Sequence, residues 1–179
     1  MDGSEVELVQ SCLNGNYASQ RKFVEQFQGL IFSICVRMLG HRQDAEDVAQ
    51  EVFLRAFRKL HQWDQVRPLR PWLLTIAANR CRTHLEERGR RPVPCDLDAD
   101  FLPERHVSKP QDDAEEVQNA LLTLRHEYRQ CFVLFYQQDL SVEEVAQILE
   151  RPEGTIKIWL HRARKEIAER LQQRGFQPS

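Results

Sequence analysis

The most informative stretch of the chain is residues 141–164, which read SVEEVAQILERPEGTIKIWLHRAR. Ser141 and Glu144 form an S-x-x-E pair, a pattern typical of a capping box at the start of a helix. The apolar residues that follow recur at helical spacing and predict one buried stripe, formed by Val142, Val145, Ala146, Ile148 and Leu149.

A second helix is predicted to begin near Thr155, after a short break. Pro152 disfavours helical geometry in the residue before it, so the first helix should stop at Arg151, and Gly154 gives the chain freedom to turn. In the second helix four apolar residues follow the i, i+4, i+7, i+11 pattern and share one inward face: Ile156, Leu160, Ala163 and Ile167.

The opposite face of this second helix is cationic. Residues 151–165 hold five Lys or Arg against one acid, a net charge of +4 (5 − 1) that suits contact with phosphates. Such a helix pair is typical of a helix-turn-helix that reads the DNA major groove, while a solvated basic helix of an ordinary bundle is the alternative. The residues predicted to face DNA are Arg151, Thr155, Lys157, Ile158, His161, Arg162 and Lys165.

Length and composition predict an all-α protein of two small helical domains. The chain has 179 residues, of which 41% are hydrophobic and only 7 are glycine, and it shows no alternating strand pattern. The net charge of −2 hides two opposite segments: residues 67–91 hold seven arginines against two acids, and residues 96–116 hold eight acids against two basic residues. We therefore predict domains at 1–91 and 114–174, a flexible acidic linker at 92–113 and a tail at 175–179.

Four helices are predicted in the first domain. A short one ends at Asn14, and a longer apolar one has Gly40 as its C-cap. Asp44 is predicted to cap the third, and Pro71 to open the fourth as its first residue. The third helix carries four acids near its start: Asp44, Glu46, Asp47 and Glu51. Acids there complement the helix dipole, but four of them also suit a surface for a basic protein partner.

The fourth helix, residues 72–91, reads WLLTIAANRCRTHLEERGRR and combines an apolar face with a basic one. Trp72 belongs to the apolar face and is predicted to be structural. The other side could follow a phosphate backbone, with Asn79 placed to hydrogen-bond a base, or be a solvated helix end. Its polar residues are Asn79, Arg80, Arg82, Thr83, His84, Arg88, Arg90 and Arg91.

The five cysteines show no C-x-x-C pair, so we expect small buried residues and neither a disulfide framework nor a zinc finger. A metal or redox site from Cys81, Cys95, His84 and His106 is the alternative.

No signal-peptide pattern and no apolar run of membrane-spanning length occur, so we expect a cytoplasmic protein without membrane insertion.

Taken together, three stretches resemble the sigma-70 family, specifically its extracytoplasmic-function (ECF) group. Residues 44–60, DAEDVAQEVFLRAFRKL, resemble the family's core-polymerase-binding helix. Residues 70–91, RPWLLTIAANRCRTHLEERGRR, resemble its helix for promoter melting and minus-10 recognition. Residues 140–167, LSVEEVAQILERPEGTIKIWLHRARKEI, are similar to its region 4 reader of the minus-35 element.

This resemblance implies a dissociable initiation subunit of bacterial RNA polymerase, with no enzymatic activity and no cofactor. Its partners would be the beta and beta-prime subunits of core polymerase, duplex promoter DNA, the unwound non-template strand and an anti-sigma factor. The polar residues of the fourth helix would hold the minus-10 strand, and the cationic face defined above would read the minus-35 element. Polymerase would contact Asp44, Asp47, Gln50, Glu51, Phe53 and Leu54.

Some positions depart from the family pattern. Related chains usually have a small polar residue and an arginine where this one has Ile158 and Trp159, and a glycine where it has Glu150. We expect Ile158 to reach thymine methyls or an anti-sigma partner and Trp159 to pack on the flank of the first helix.

The acidic linker would mimic nucleic acid in a basic channel or simply tether the domains. A DNA-binding regulator that acts without polymerase is the alternative function.

Overall fold

The structure, a computed structural model, describes residues 3–65, 68–90 and 113–173. These residues form eight α-helices and no strand, so the all-α prediction is confirmed for this part of the chain. The predicted linker, except for its last residue, and the predicted tail lie outside the described residues. The helices are α1 (Gly3–Leu13), α2 (Tyr17–Leu39), α3 (Arg42–Lys59), α4 (Leu69–Arg90), α5 (Asp113–Leu122), α6 (His126–Phe132), α7 (Val142–Leu149) and α8 (Glu153–Gln173).

The N-terminal unit, α1 to α4, is built around the apolar face of α2. Phe23 is fully buried there, and its ring centroid lies 5.2 Å from that of Phe27 and 5.3 Å from that of Phe57. Asn16 caps the start of α2 by accepting a hydrogen bond from a backbone N–H, and Gly40 closes its end with φ +78°. The predicted glycine C-cap is therefore confirmed.

Two predicted helix starts in this unit are wrong by a few residues. The N-cap of α3 is His41, whose Nδ1 accepts a hydrogen bond from the backbone N–H of Asp44, and Asp44 itself lies inside the helix. Helix α4 begins at Leu69, so Pro71 is its third residue. Proline fits there because the N–H groups of the first turn have no acceptor within the helix.

The C-terminal unit, α5 to α8, buries the stripe predicted for α8. All four of its residues are 6% exposed or less: Ile156, Leu160, Ala163 and Ile167. The sequence predicts one helix from Tyr128 through Phe135, but α6 gives way at Val133 to a π-helical turn, Val133–Gln137. Apolar spacing over so few residues does not separate the two kinds of turn.

The two units share one hydrophobic cluster. Leu73 and Ala78 of α4 belong to the same buried cluster as Leu134, Leu140 and Val145 of the C-terminal unit. The sequence predicts two domains but contains no signal for how they meet. In the structure they pack directly against one another, which places the two candidate DNA-binding elements side by side.

Candidate nucleic-acid and protein interfaces

Helices α7 and α8 form the helix-turn-helix that the sequence predicts. Ser141 Oγ accepts a hydrogen bond from the Glu144 backbone N–H at 3.2 Å, and Glu144 Oε2 accepts one from the Ser141 N–H at 2.8 Å. The capping box is therefore confirmed. Helix α7 ends at Leu149, two residues before the predicted stop, because Glu150 takes a left-handed conformation with φ +54°. Helix α8 begins at Glu153, two residues before the predicted start.

The outward face of α8 is open to solvent and cationic. Ile158 is 53% exposed at its centre. Lys157 lies 3.3 Å from an oxygen of Glu153, and Lys165 lies 3.8 Å from an oxygen of Glu169. Such exposed pairs contribute little to stability, so these cations can exchange a carboxylate for a phosphate. Thr155 is half-buried, and the exposed members of the predicted set are Arg151, Lys157, Ile158, His161, Arg162 and Lys165.

Tyr128 of α6 contacts a residue of this cationic face. Its hydroxyl oxygen accepts a hydrogen bond from Arg162 Nη1 at 2.9 Å, which holds the guanidinium near the helix surface. The Trp159 ring lies 6.4 Å from the Tyr128 ring, centroid to centroid, and lines a cleft together with Leu149 of α7. Trp159 thus rests against both α6 and α7, of which the sequence predicts only the second.

The acids of α3 divide into an exposed set and a paired set. Asp47, Gln50 and Leu54 are exposed and follow the i, i+3, i+7 pattern, so they share one solvent-facing side of the helix. Leu54 is 58% exposed, so its side chain is available for contact on this side of the helix. Phe53 is half-buried against the core.

The paired acids of α3 bind α4 within the same unit. Asp44 Oδ2 lies 2.5 Å from Arg88 Nη1 and 3.6 Å from His84 Nε2. Glu51 accepts two hydrogen bonds from Arg80, from Nε at 2.5 Å and from Nη2 at 3.1 Å. These bonds lower the pKa of the Glu51 carboxyl below its ordinary value. The predicted polymerase-contacting helix and the predicted minus-10 helix are thus joined through their charged side chains.

Arg80 is a buried residue in this arrangement. Its side chain is 8% exposed, and besides Glu51 it reaches Glu87 Oε2 at 3.5 Å. Its residue type predicts a place on the polar side of α4, yet Arg80 follows Leu73 and Ala77 at the i, i+4, i+7 spacing of the apolar face. This spacing is the feature of the sequence that indicates a buried, structural role for Arg80.

The other predicted minus-10 residues of α4 are half-buried or exposed. Arg82 Nη2 donates to Asn79 Oδ1 at 2.9 Å, and the Thr83 hydroxyl donates to the Asn79 carbonyl at 3.0 Å. Arg88 is exposed, and Asn79, Arg82, Thr83 and His84 are half-buried. Arg90 is the last residue of α4 and its side chain is not described, while Arg91 lies outside the described residues.

The described cysteines, Cys12, Cys35, Cys81 and Cys131, are buried free thiols, as predicted for small core residues. Burial raises the pKa of Cys131 to about 12. Across residues 3–65, 68–90 and 113–173 there is no cluster of three His, Cys, Asp or Glu that could hold a metal ion. Two members of the alternative metal or redox site, Cys95 and His106, lie outside those ranges.

None of the described helices has the length and apolarity needed to span a membrane.

Two family models match the two units. Residues 23–91 match Sigma-70 region 2, and residues 114–167 match Sigma-70, region 4. The RNA polymerase sigma-H factor of Pseudomonas aeruginosa is 31% identical, with 93% of each chain covered. The ECF RNA polymerase sigma factor SigW of Bacillus subtilis is 30% identical, over 91% of this chain and 94% of that protein.

Solved structures show the same fold. The sigma factor RpoE in complex with the anti-sigma factor NepR from Bartonella quintana superposes with a TM-score of 0.71 at 24% identity, over 85% of this chain and 96% of that one. CnrH, in complex with the cytosolic domain of CnrY, gives a TM-score of 0.64 at 22% identity, over 93% and 96%. With both family models matched in order, the chain belongs to the sigma-70 family and is an RNA polymerase sigma factor of the ECF type.

Proposed function

We propose that this chain uses three separate surfaces to direct initiation at promoters: α3 for core polymerase, α8 for the minus-35 duplex and α4 for the unwound minus-10 strand. Its family consists of transcription initiation factors, and we infer that the chain performs no catalysis of its own. The observation that carries the proposal is the exposed, cationic face of α8 in a helix-turn-helix. A regulator that acts without polymerase is not favoured, because both sigma regions match.

The exposed side of α3 is our candidate for docking on the beta and beta-prime subunits. Asp47 and Gln50 flank Leu54, which gives an apolar centre with polar neighbours, the usual composition of a protein-binding spot. Asp44, Glu51 and Phe53, which are half-buried, would border this spot. Docking there leaves the ion pairs between α3 and α4 in place.

Leu54→Asp tests the polymerase surface. It should weaken binding to sigma-free core polymerase by about tenfold or more, since it places a charge at the centre of the contact. Leu13→Asp is the matched control, because Leu13 is also an exposed leucine of the N-terminal unit, at 46% exposure. Equal loss in both variants, or loss in neither, would contradict the assignment.

The outward face of α8 is our candidate for the minus-35 element, with Arg151 and Thr155 at its start. Lys165→Ala should reduce the slope of log K against log salt by about 0.9, the value expected for one lost phosphate contact. Lys22→Ala, an exposed lysine of α2, should leave the slope unchanged. Ile158→Ser should change sequence preference and leave the slope unaltered, because an apolar contact to thymine methyls carries no charge.

The polar side of α4 is our candidate for the minus-10 strand. Asn79, Arg82, Thr83 and His84 would contact bases and backbone, and Arg88, Arg90 and Arg91 would hold phosphates. Arg80 would keep α4 in place through Glu51. Trapping flipped bases costs a few kcal/mol for each base and needs no nucleotide hydrolysis, so binding energy alone can open the DNA.

Initiation from genomic DNA fragments is the overall test. The purified chain, added to sigma-free core polymerase, should start transcripts at a small set of positions. Random starts, or none with any bacterial core enzyme, would refute the proposed function.

We also propose that the chain works in the bacterial cytoplasm, where its polymerase partner acts, under the control of an anti-sigma factor. Support comes from RpoE and CnrH, which were solved in complex with NepR and CnrY. The tagged chain should co-purify from its own cells in a complex that lacks polymerase subunits. Recovery only as the free chain or with polymerase would contradict this control.

A further inference from the structure

We propose that Tyr128 positions two arginines at the edge of the cationic face of α8, and that one of them, Arg125, is a phosphate contact outside α8 itself. This inference rests on the proposed role of α8 in binding the minus-35 duplex. It adds two residues of the α6 region to a surface that the sequence predicts from α8 and the turn before it.

Tyr128 is a buried residue whose polar end reaches the protein surface. It is 5% exposed, and its ring packs beside that of Trp159, with the centroids 6.4 Å apart. Tyrosine combines an apolar body with a polar tip, so burial of the ring fixes the place of the hydroxyl. The exposed guanidinium of Arg162, which donates to this hydroxyl at 2.9 Å, is therefore bound to a fixed point of the C-terminal unit.

The hydroxyl directs Arg162 without cancelling its charge. Lys157 and Lys165 lie beside carboxylates, whereas the acceptor in this bond is a neutral oxygen. A guanidinium has five N–H donors, so one bond to Tyr128 leaves four for a phosphate. Glu166, one turn further along α8, attracts the same guanidinium electrostatically. Loss of the hydroxyl should therefore let Arg162 move toward Glu166 and away from DNA.

The face of the same ring contacts Arg125, which directly precedes α6. The Arg125 Cζ atom lies 5.7 Å from the centroid of the Tyr128 ring, within the range of about 6 Å for a cation–π contact. Its side chain is 70% exposed, and its Nη2 lies 3.6 Å from Glu127 Oε1, an oxygen that is also 3.5 Å from His126 Nε2. An exposed ion pair of this kind contributes little, so a phosphate can replace the carboxylate at Arg125.

These contacts extend the cationic face from α8 to the start of α6. Tyr128 binds Arg162 through its hydroxyl and Arg125 through its ring, so both cations lie beside one side chain. DNA carries one negative charge per about 1.7 Å of helix axis, so neighbouring cations on a protein surface can each meet a phosphate. Phosphate contacts fix the register of a protein on the duplex, whereas base contacts read sequence. Arg125 and Arg162 thus set how α8 enters the major groove, and Ile158 at its centre reads bases.

Two variants test this arrangement, each with a matched control. Arg125→Ala removes the cation, and Arg21→Ala is its control, because Arg21 of α2 is likewise an exposed arginine beside a glutamate. Tyr128→Phe removes the hydroxyl but keeps the ring, and Tyr136→Phe makes the same change at a tyrosine that is 40% exposed. Far-UV circular dichroism checks that each variant retains its helices.

The assay is binding of the full chain to a fluorescein-labelled duplex DNA of mixed sequence, measured over a range of salt concentrations. Arg125→Ala should reduce the slope of log K against log salt by about 0.9, the effect expected also for Lys165→Ala. Arg21→Ala should leave the slope unchanged. The loss should be equal for an A·T-rich and a G·C-rich duplex, because removal of a phosphate contact weakens binding uniformly across sequences.

The positioning role of Tyr128 has a separate readout. Tyr128→Phe should weaken binding about threefold, a loss on the scale of one hydrogen bond, and Tyr136→Phe should not. Glu166→Gln removes the competing carboxylate, so it should raise the affinity of Tyr128→Phe more than that of the wild-type chain. A purely structural role for Tyr128 would lower the Tm of Tyr128→Phe without producing this difference.

Two results would overturn the inference. One is an unchanged salt slope in Arg125→Ala when Lys165→Ala reduces it, and the other is an equal effect of Glu166→Gln in the two backgrounds. Failure of the proposed minus-35 role is distinguishable, because Lys165→Ala would then leave the slope unchanged too, and the inference about Tyr128 would fall with it.

Discussion

Replacing Arg80 with alanine separates a structural role from a DNA-contacting role on α4. Arg80 is 8% exposed, donates to both carboxylate oxygens of Glu51 and lies 3.5 Å from an oxygen of Glu87. If it acts mainly inside the protein, its loss should lower the free energy of unfolding. If it acts on DNA, its loss should mainly weaken binding of the strand.

The size of the effect follows from these contacts. Hydrogen bonds to charged groups contribute about 1.5 to 3 kcal/mol each, but the Glu51 side chain is 43% exposed and regains water once Arg80 is gone. After a discount for this exposure, and with the lost packing of the arginine stem added, we expect the free energy of unfolding to fall by about 2 kcal/mol. For a chain of this size that lowers the Tm by about 4 to 8 °C.

Thermal unfolding of a double-mutant cycle is the appropriate assay. Arg80→Ala, Glu51→Gln and the double variant should show a coupling energy of about 1 kcal/mol. Arg82→Ala, on the same helix but half-buried, should change stability by no more than about 0.5 kcal/mol and should weaken strand binding instead. An unchanged Tm for Arg80→Ala together with reduced strand binding would refute the structural reading.

The remaining predictions concern acid stability, helix capping and thiol reactivity. Because Arg80 lowers the pKa of folded Glu51, this pair's contribution to stability is present above the ordinary carboxyl pKa of about 4.3 and is lost as the pH falls through the lowered value. Wild type and Glu51→Gln should therefore have converging Tm values in acid, and a constant difference would count against this. Ser141→Ala should cost about 1 kcal/mol in chemical denaturation, since it removes the cap of α7; no change would argue against the capping box. A Cys95→Ser variant should not react with a thiol reagent until it unfolds, because the described cysteines, Cys131 among them, are buried; labelling of the native protein would contradict this.

Local patterns predicted most of the helices and the helix-turn-helix. Apolar spacing identified the buried stripe of α8, and the S-x-x-E pair identified the start of α7, because both depend on residues within a few turns of each other. The cap at His41 was missed because its Nδ1 can accept a hydrogen bond as an aspartate does, yet histidine is an uncommon cap.

The contacts that join distant parts of the chain could not be predicted in this way. The Glu51 to Arg80 bonds span 29 residues and the Gln130 to Ala78 bond spans 52. The distance along the sequence does not predict a contact in either pair. These residues are seen to meet only in the folded structure. For the candidate site, the open face of α8 followed from periodicity, whereas the covering of α4 did not.

Glu150 has a consequence for how this protein can change over evolutionary time. Its left-handed backbone, φ +54°, disfavours any residue with a side chain by about 1 to 2 kcal/mol relative to glycine. Glu150→Gly should therefore raise the Tm without altering any residue of the cationic face. One stabilising substitution is therefore available next to α8, the proposed DNA-binding helix. It would offset the loss of stability caused by mutations on α8 that give a new promoter preference.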